Sequence, residues 1–267
     1  MSLDAPDIAV MEGTGNRFGI MVRSQLGDRS PASLVRELVS HDPELDGLLL
    51  VSRGDSEKDL RVDVINADGS VAGMCGNGLR CVAFLAARDP GRAGRSFRIR
   101  MGDHALAVRV LKDEGTRGLV YARLPEPRVS PRPDGFEVDL GNPHRVIRED
   151  ERPDPGDWES WFARRAETSE PDVNLHRVQV DDRRRIRMCS WERGVGPTAA
   201  CGSGATAAVA AFRSVREIEA PVEVIQPGGR LRVNWARPGR GMATIGPVEH
   251  VGRIPLSSVE PERSEAS

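Results

Sequence analysis

The strongest constraint in this chain is a repeat. Cys75-Gly76-Asn77-Gly78 and Cys201-Gly202-Ser203-Gly204 are two copies of Cys-Gly-x-Gly lying 126 residues apart. After Cys75, the apolar residues Leu79, Val82, Ala83 and Ala86 occupy the i, i+3, i+4 and i+7 positions of one helix face. The same shift of 126 lands on Ala205, Ala208, Val209 and Phe212, apolar at every position. It also carries Gly15-Asn16 onto Gly141-Asn142, and Asn66 onto Glu192. Polar landmarks and a whole helix face in one register imply two similar halves. The expected division is 1–126 with Cys75 and 127–267 with Cys201, the last strand packing back on the first half.

Each repeat predicts a cysteine where a glycine turn feeds a helix N-terminus. Unpaired backbone N–H groups and the positive end of the helix dipole gather there, so the place binds anions and lowers a thiol's pKa. Two such halves facing one another would set a thiol on each side of a shared carboxylate. That geometry suits removal of an α-proton from one face and its return from the other. One cysteine must then start as thiolate and its partner as thiol.

Between the landmarks the chain reads as short strands with a few helices. Ser30-Pro31 opens a helix carrying Leu34, Val35, Leu38 and Val39, and Trp158, Trp161, Phe162 and Arg165 suggest a second. Pro125, Pro127, Pro131 and Pro133 read as a linker, and Met242 to Ile245 as a late strand. Cys81 and Cys189 are expected in the core.

Composition excludes several classes. Net charge −2 offers no field for nucleic acid. Lys58 and Lys112 are the only lysines, both in polar turn-like contexts, which argues against a Schiff-base cofactor such as pyridoxal phosphate. Four cysteines without a C-x-x-C pair give neither a zinc pattern nor a disulfide scaffold. No secretory signal and no membrane-length apolar run are visible. The expectation is a cytoplasmic protein with free thiols, no metal, no cofactor, and neither a nucleic-acid nor a membrane partner.

Asn66-Ala-Asp-Gly-Ser70, Met74-Cys-Gly-Asn-Gly-Leu-Arg-Cys81, Gly141-Asn-Pro-His144, Glu192-Arg-Gly-Val-Gly196 and Ala200-Cys-Gly-Ser-Gly204 together resemble diaminopimelate epimerase. The likeness runs from about Gly13 to Gly252. It implies an α/β (α+β) fold of two pseudo-symmetric domains, each a β-barrel-like sheet around a central helix. It implies a cofactor-independent isomerase, often a homodimer, interconverting LL- and meso-diaminopimelate in lysine biosynthesis, with Cys75 and Cys201 as the acid/base pair. The α-carboxylate would be held by the N–H groups of Gly76, Asn77, Gly202 and Ser203. His144 and Glu192 would lie by the reacting centre, binding the α-ammonium or tuning the thiols. Asn66, Asn142, Asn174 and Arg193 would take the distal ammonium and carboxylate, with Asn16 from the early loop.

The chain departs from that family in its opening, with Glu12 for a histidine and Arg17 for an aspartate. Asp42-Pro43-Glu44-Leu45-Asp46-Gly47 stands where a glycine-rich stretch is usual, and Ser203 replaces a threonine. Two other readings remain open from the residues: a racemase of another amino acid on the same scaffold, and a non-enzymatic thiol redox or metal-binding protein.

Overall fold

A computed structural model describes residues 7–259 except 57–58, 90, 95, 150–159, 163–172, 194, 236–238 and 240. Of the helix expected around Trp158 to Arg165, Trp161 and Phe162 are described and helical, while Trp158 and Arg165 lie outside the described residues. The chain divides into two compact units, one of residues 1–121 with 247–267 and one of residues 122–246.

In the first unit β1 (Ile8–Gly13), β2 (Asn16–Val22), β3 (Gly47–Arg53), β4 (Leu60–Asn66), β5 (Val71–Ala72), β6 (Phe97–Met101), β7 (His104–Asp113) and β8 (Arg117–Leu124) surround α2 (Gly76–Ala86), with α1 (Pro31–His41) outside it. The pairings are β1 with β2 antiparallel, β2 with β3 parallel, β3 with β4 antiparallel, β4 with β6 parallel and β6 with β7 antiparallel. The last strand, β17 (Met242–Ile254), pairs with β8 and, through Glu249 to Ile254, with β1. Every residue of α2 is buried, the polar Asn77 and Arg80 included. Strand alternation explains the layers: Leu48 and Leu50 join Leu34, Val35 and Leu38 of α1 in one cluster, while Leu49 lies against Gly78 of α2. Ser30 caps α1 and Pro31 takes its first position, as the sequence suggests.

The second unit repeats the plan. β9 (Arg128–Arg132), β10 (Gly135–Asp139), β11 (Pro143–Arg148), β12 (Asn174–Asp182), β13 (Arg185–Glu192), β14 (Gly196–Thr198), β15 (Val222–Gln226) and β16 (Gly229–Asn234) surround α3 (Gly202–Ser214). Again β11 runs parallel to β12, and β13 to β15, with antiparallel pairs between. Phe18 opposes Gly47 in the first unit, and His144 opposes Asn174 in the second, so the ladders recur to within one residue of the 126 shift.

Two expectations need correction. The proline-rich linker contains β9, whose Pro131 opposes Phe136 of β10. Alternate residues of a strand turn their N–H away from a given partner, so proline can sit in such a ladder without losing a bond. The late strand does not stop at Ile245, because β17 continues through Gly246-Pro247 to Ile254. Among the described residues no helix is long and apolar enough to cross a membrane.

Candidate active site

Both cysteines are helix N-caps. Cys75 has φ −137° and ψ 107°, and its Sγ accepts from the Gly78 N–H at 3.3 Å. Cys201 has φ −123° and ψ 111°, and its Sγ accepts from Gly204 N–H, also at 3.3 Å. A sulfur in that role replaces the usual cap oxygen and satisfies the third helical N–H. The N–H groups of Gly76 and Asn77, and of Gly202 and Ser203, are the first two of each helix and have no intrahelical acceptor. None of the four cysteines is in a disulfide; Cys75 is half-buried, while Cys81, Cys189 and Cys201 are buried.

Around Cys75 the supporting groups are neutral amides and one cation. Asn77 donates from Nδ2 to Asn16 Oδ1 at 2.6 Å. Arg80, fully buried, donates to Gly76 O at 3.2 Å, Thr14 Oγ1 at 2.7 Å and Asn77 Oδ1 at 2.5 Å. Its Nε has no hydrogen-bond partner. Burial lowers the Arg80 pKa to about 10, with the Cys81 and Cys75 sulfurs opposing that fall. The Cys81 thiol is pushed up by burial and stays protonated. Asn66 ends β4 half-buried, donating to Ser70 Oγ at 3.0 Å.

The surroundings of Cys201 are different. Its N–H donates to Gln226 Oε1 at 2.8 Å, and its Sγ lies 3.5 Å from Ser203 Oγ. Burial first, then the negative charge of Glu192, hold the Cys201 thiol well above the usual range. The helix N-terminus therefore does not lower this thiol as its position alone predicts; loss of solvation and a nearby carboxylate outweigh the dipole. Glu192 Oε1 accepts from Thr198 Oγ1 at 2.7 Å. Asn174 donates to Pro143 O at 3.1 Å and accepts from the Arg193 N–H at 3.1 Å, which fixes the turn from which the exposed Arg193 projects.

His144 is fully buried and both its nitrogens are engaged. Nε2 lies 3.1 Å from Asn142 Oδ1, and Nδ1 lies 2.8 Å from His176 Nε2. His176 Nδ1 in turn lies 2.9 Å from Ser190 Oγ. An amide oxygen only accepts, so His144 donates from Nε2, accepts at Nδ1, and the pattern passes through His176 to the serine hydroxyl. Burial lowers the His144 pKa to about 3 and the His176 pKa well below its ordinary value, so both rings are neutral near pH 7. His176 packs on Gly204, where an added Cβ would overlap the ring.

Sequence reading named the caps and the loop asparagines but missed Arg80, His176, Ser190 and Gln226. Arg80 lies inside the Met74–Cys81 motif, where spacing alone gives it no role. The others sit 14 to 32 residues from the partners they bond, and no local spacing marks such pairs. Of the two departures in the opening, Arg17 has a local explanation. Arg17 pairs with Glu44 and with Asp42 at 3.6 Å, and its N–H donates to Asp46 Oδ2 at 2.7 Å. The reversed charge at Arg17 is thus met by acids of the altered 42–47 stretch. Among the described residues no group of three His, Cys, Asp or Glu side chains is placed to hold a metal.

The family model described as diaminopimelate epimerase matches residues 8–122 and 136–251. A diaminopimelate epimerase from Stutzerimonas stutzeri (strain A1501) is 34% identical over 226 residues, spanning 77% of this chain and 82% of that protein. One from Pseudomonas entomophila (strain L48) is 33% identical over 229 residues with the same coverage, 77% and 82%. Among solved structures, a hydroxyproline epimerase from Agrobacterium vitis superposes with TM-score 0.67 at 13% identity, covering 93% of this chain and 90% of that one. A phenazine biosynthesis protein of the PhzF family from Bacillus anthracis gives TM-score 0.67 at 13% identity, covering 93% and 97%. These structures share the fold.

Proposed function

The chain belongs to the diaminopimelate epimerase family and is an isomerase, and from that premise we propose that it interconverts LL- and meso-diaminopimelate by two-thiol acid/base chemistry in the cytoplasm. The observation that carries the mechanism is the duplicated cap: each unit independently builds a cysteine with nearly the same backbone angles and the same 3.3 Å bond to the third helical N–H. In this reading a thiolate removes the α-proton, the other thiol supplies one from the opposite face, and the roles are exchanged afterwards. The open N–H groups of Gly76, Asn77, Gly202 and Ser203 take the α-carboxylate, stabilising the negative charge that develops as the proton leaves. The chain's own groups supply every proton, so no cofactor enters the scheme.

Asn142, Asn174, Asn66 and Arg193 offer amide and guanidinium groups for a second zwitterionic end, with Asn16 beside the Cys75 cap. Glu192 serves the Cys201 side as an anion, suited to an ammonium group. His144, neutral and bonded at both nitrogens, supports Asn142 rather than acting as a charged group.

A second reading, racemisation of another amino acid, rests on Glu12 and Arg17. The pairing of Arg17 with Asp42 and Glu44 counts against it, because the charge reversal is neutralised inside the first unit. The non-enzymatic reading is set aside by the family and its isomerase chemistry. The deciding experiment is α-deuterium uptake in heavy water across a panel of amino acids, read with chiral chromatography. Exchange and epimerisation with diaminopimelate are expected. Exchange with another amino acid and none with diaminopimelate would overturn the substrate while keeping the chemistry.

A further inference from the structure

The first unit buries a cation with no acid paired to it among the described residues. Arg80 is 0% exposed, and its three hydrogen-bond acceptors, Gly76 O, Thr14 Oγ1 and Asn77 Oδ1, are all neutral. Its Nε has no partner. A guanidinium stripped of water and met only by neutral dipoles is a large penalty that a native fold offsets with a counter-charge. The bonds of Arg80 to Gly76 O and Asn77 Oδ1 hold the guanidinium against the first turn of α2, which Cys75 caps, and the sulfurs of Cys75 and Cys81 act on it electrostatically. Cys81 is fully buried inside α2 and remains a thiol. Cys75 is half-buried, caps the helix, and already accepts the Gly78 N–H.

The second unit shows the contrast. The position matching Arg80 is Thr206, whose hydroxyl donates to Gly202 O at 3.0 Å. There the neighbouring charge is the negative one of Glu192. One helix start therefore carries a buried cation and the other a carboxylate.

We infer that Arg80 is a positioning residue whose guanidinium is the counter-ion of a Cys75 thiolate, and that this pair sets Cys75 as the resting base and Cys201 as the resting acid. This rests on the epimerase reading of the two thiols and deepens it by assigning their starting protonation. The resting enzyme then begins turnover by proton abstraction at Cys75, and the opposite stereochemical sense requires the proton to change places first. Asn77 is held between Arg80 and Asn16, so the same guanidinium orients an amide beside the cap.

Other ionisable groups do not replace it. The strands packed on α2 include β1, β2, β3 and β7, and Gly118 of β8 lies against Phe84. Among described residues they carry Glu12 on β1, Arg17 on β2, Arg53 on β3, His104, Arg109, Lys112 and Asp113 on β7, and the exposed Arg117 and Arg123 with half-buried Tyr121 on β8. Arg17 is engaged by Asp42 and Glu44. Arg53, Arg109, Lys112 and Asp113 are exposed, and His104 is half-buried. Glu12 acts on Cys81 in the direction that keeps it protonated, and it would oppose a Cys75 thiolate rather than favour it.

The test is the pH dependence of Cys75 alkylation by iodoacetamide in the full chain, followed by mass spectrometry of the Cys75 peptide. In the wild type the midpoint should lie at least about one unit below the ≈ 8.5 of a free thiol. Arg80→Gln should raise it by one unit or more and slow alkylation at neutral pH about tenfold, while Arg80→Lys restores most of the effect. An unchanged midpoint in folded Arg80→Gln overturns the inference. If that variant does not fold, the ultraviolet thiolate band of the wild type minus that of Cys75→Ser decides: a band absent at neutral pH overturns it. Neither readout needs turnover, so loss of the ion pair and failure of the epimerase reading are separately visible.

Discussion

Cys75 and Cys201 begin their helices with backbone angles that differ by less than 15° and the same 3.3 Å bond to the third N–H. Around that shared cap the two units diverge. The first surrounds its cysteine with Arg80, Asn77, Asn16 and Thr14, while the strands behind α2 carry Phe18, Leu49 and Val64. In the second unit the ladder positions matching those three hold His144, His176 and Ser190, joined in one hydrogen-bonded chain. The repeated scaffold keeps the thiol geometry, which the proposed two-thiol reaction needs on both sides. The charge around each thiol differs, as that proposal requires of an acid and a base that start in opposite protonation states.

The largest effect should come from the caps themselves. Cys75→Ala and Cys201→Ala are each expected to reduce α-proton exchange by about 10²–10⁴-fold or more, since each removes one of the two proposed acid/base groups. Heavy-water exchange followed by mass spectrometry checks it. Epimerisation surviving at wild-type rate in either variant would break the comparison at its root.

Next comes the fit of strand against helix. A Cβ at Gly204 overlaps the His176 ring, whereas one at Gly78 meets the flexible end of Leu49 at 2.9 Å. Gly204→Ala should cost about 3 kcal/mol or more and Gly78→Ala about 1 kcal/mol, by denaturant titration. Equal costs would mean that the histidine yields as readily as the leucine.

The histidine chain should also show in the pH dependence of stability. His144 is depressed to about 3 when folded against about 6.5 when unfolded. Between those values the unfolded chain binds the extra proton, so stability rises with pH and is lost as pH falls from 6.5 towards 3. His144 alone contributes about 1.4 kcal/mol per pH unit in that window. At pH 7, His176→Leu, which installs the type of residue found in the first unit, should cost about 1–3 kcal/mol by orphaning His144 Nδ1 and Ser190. A variant as stable as the wild type would show the chain to be dispensable.

The smallest expected effect lies at Glu192. Glu192→Gln removes a negative charge near Cys201, so that thiol's pKa should fall and its alkylation at neutral pH should rise a few-fold. Burial, the larger cause, is left in place. Alkylation slowed by the substitution would reverse the assigned sign.

Much of this was legible without coordinates. The 126 shift places Asn66 on Glu192 and Gly76 on Gly202, and the structure ends β4 and β13 and starts α2 and α3 at those residues. Helix starts read well because cap, glycine turn and apolar face lie within a dozen residues. The proline-rich segment read poorly, since β9 exists through its pairing with β10 and has no pattern of its own. His176 was invisible for the same reason: its partners come from β11 and β13.

By itself the sequence determined two halves, a cysteine at the head of each central helix, and the family to which that motif set belongs. These depend on local spacing, which helical and strand periodicity turn directly into geometry. Only the tertiary structure decided that Cys201 is held as a thiol, that His144 is neutral and bonded at both nitrogens, and that Arg80 is buried among neutral acceptors. Those properties depend on desolvation and on partners from distant strands, and they exist once the barrel has closed around its helix.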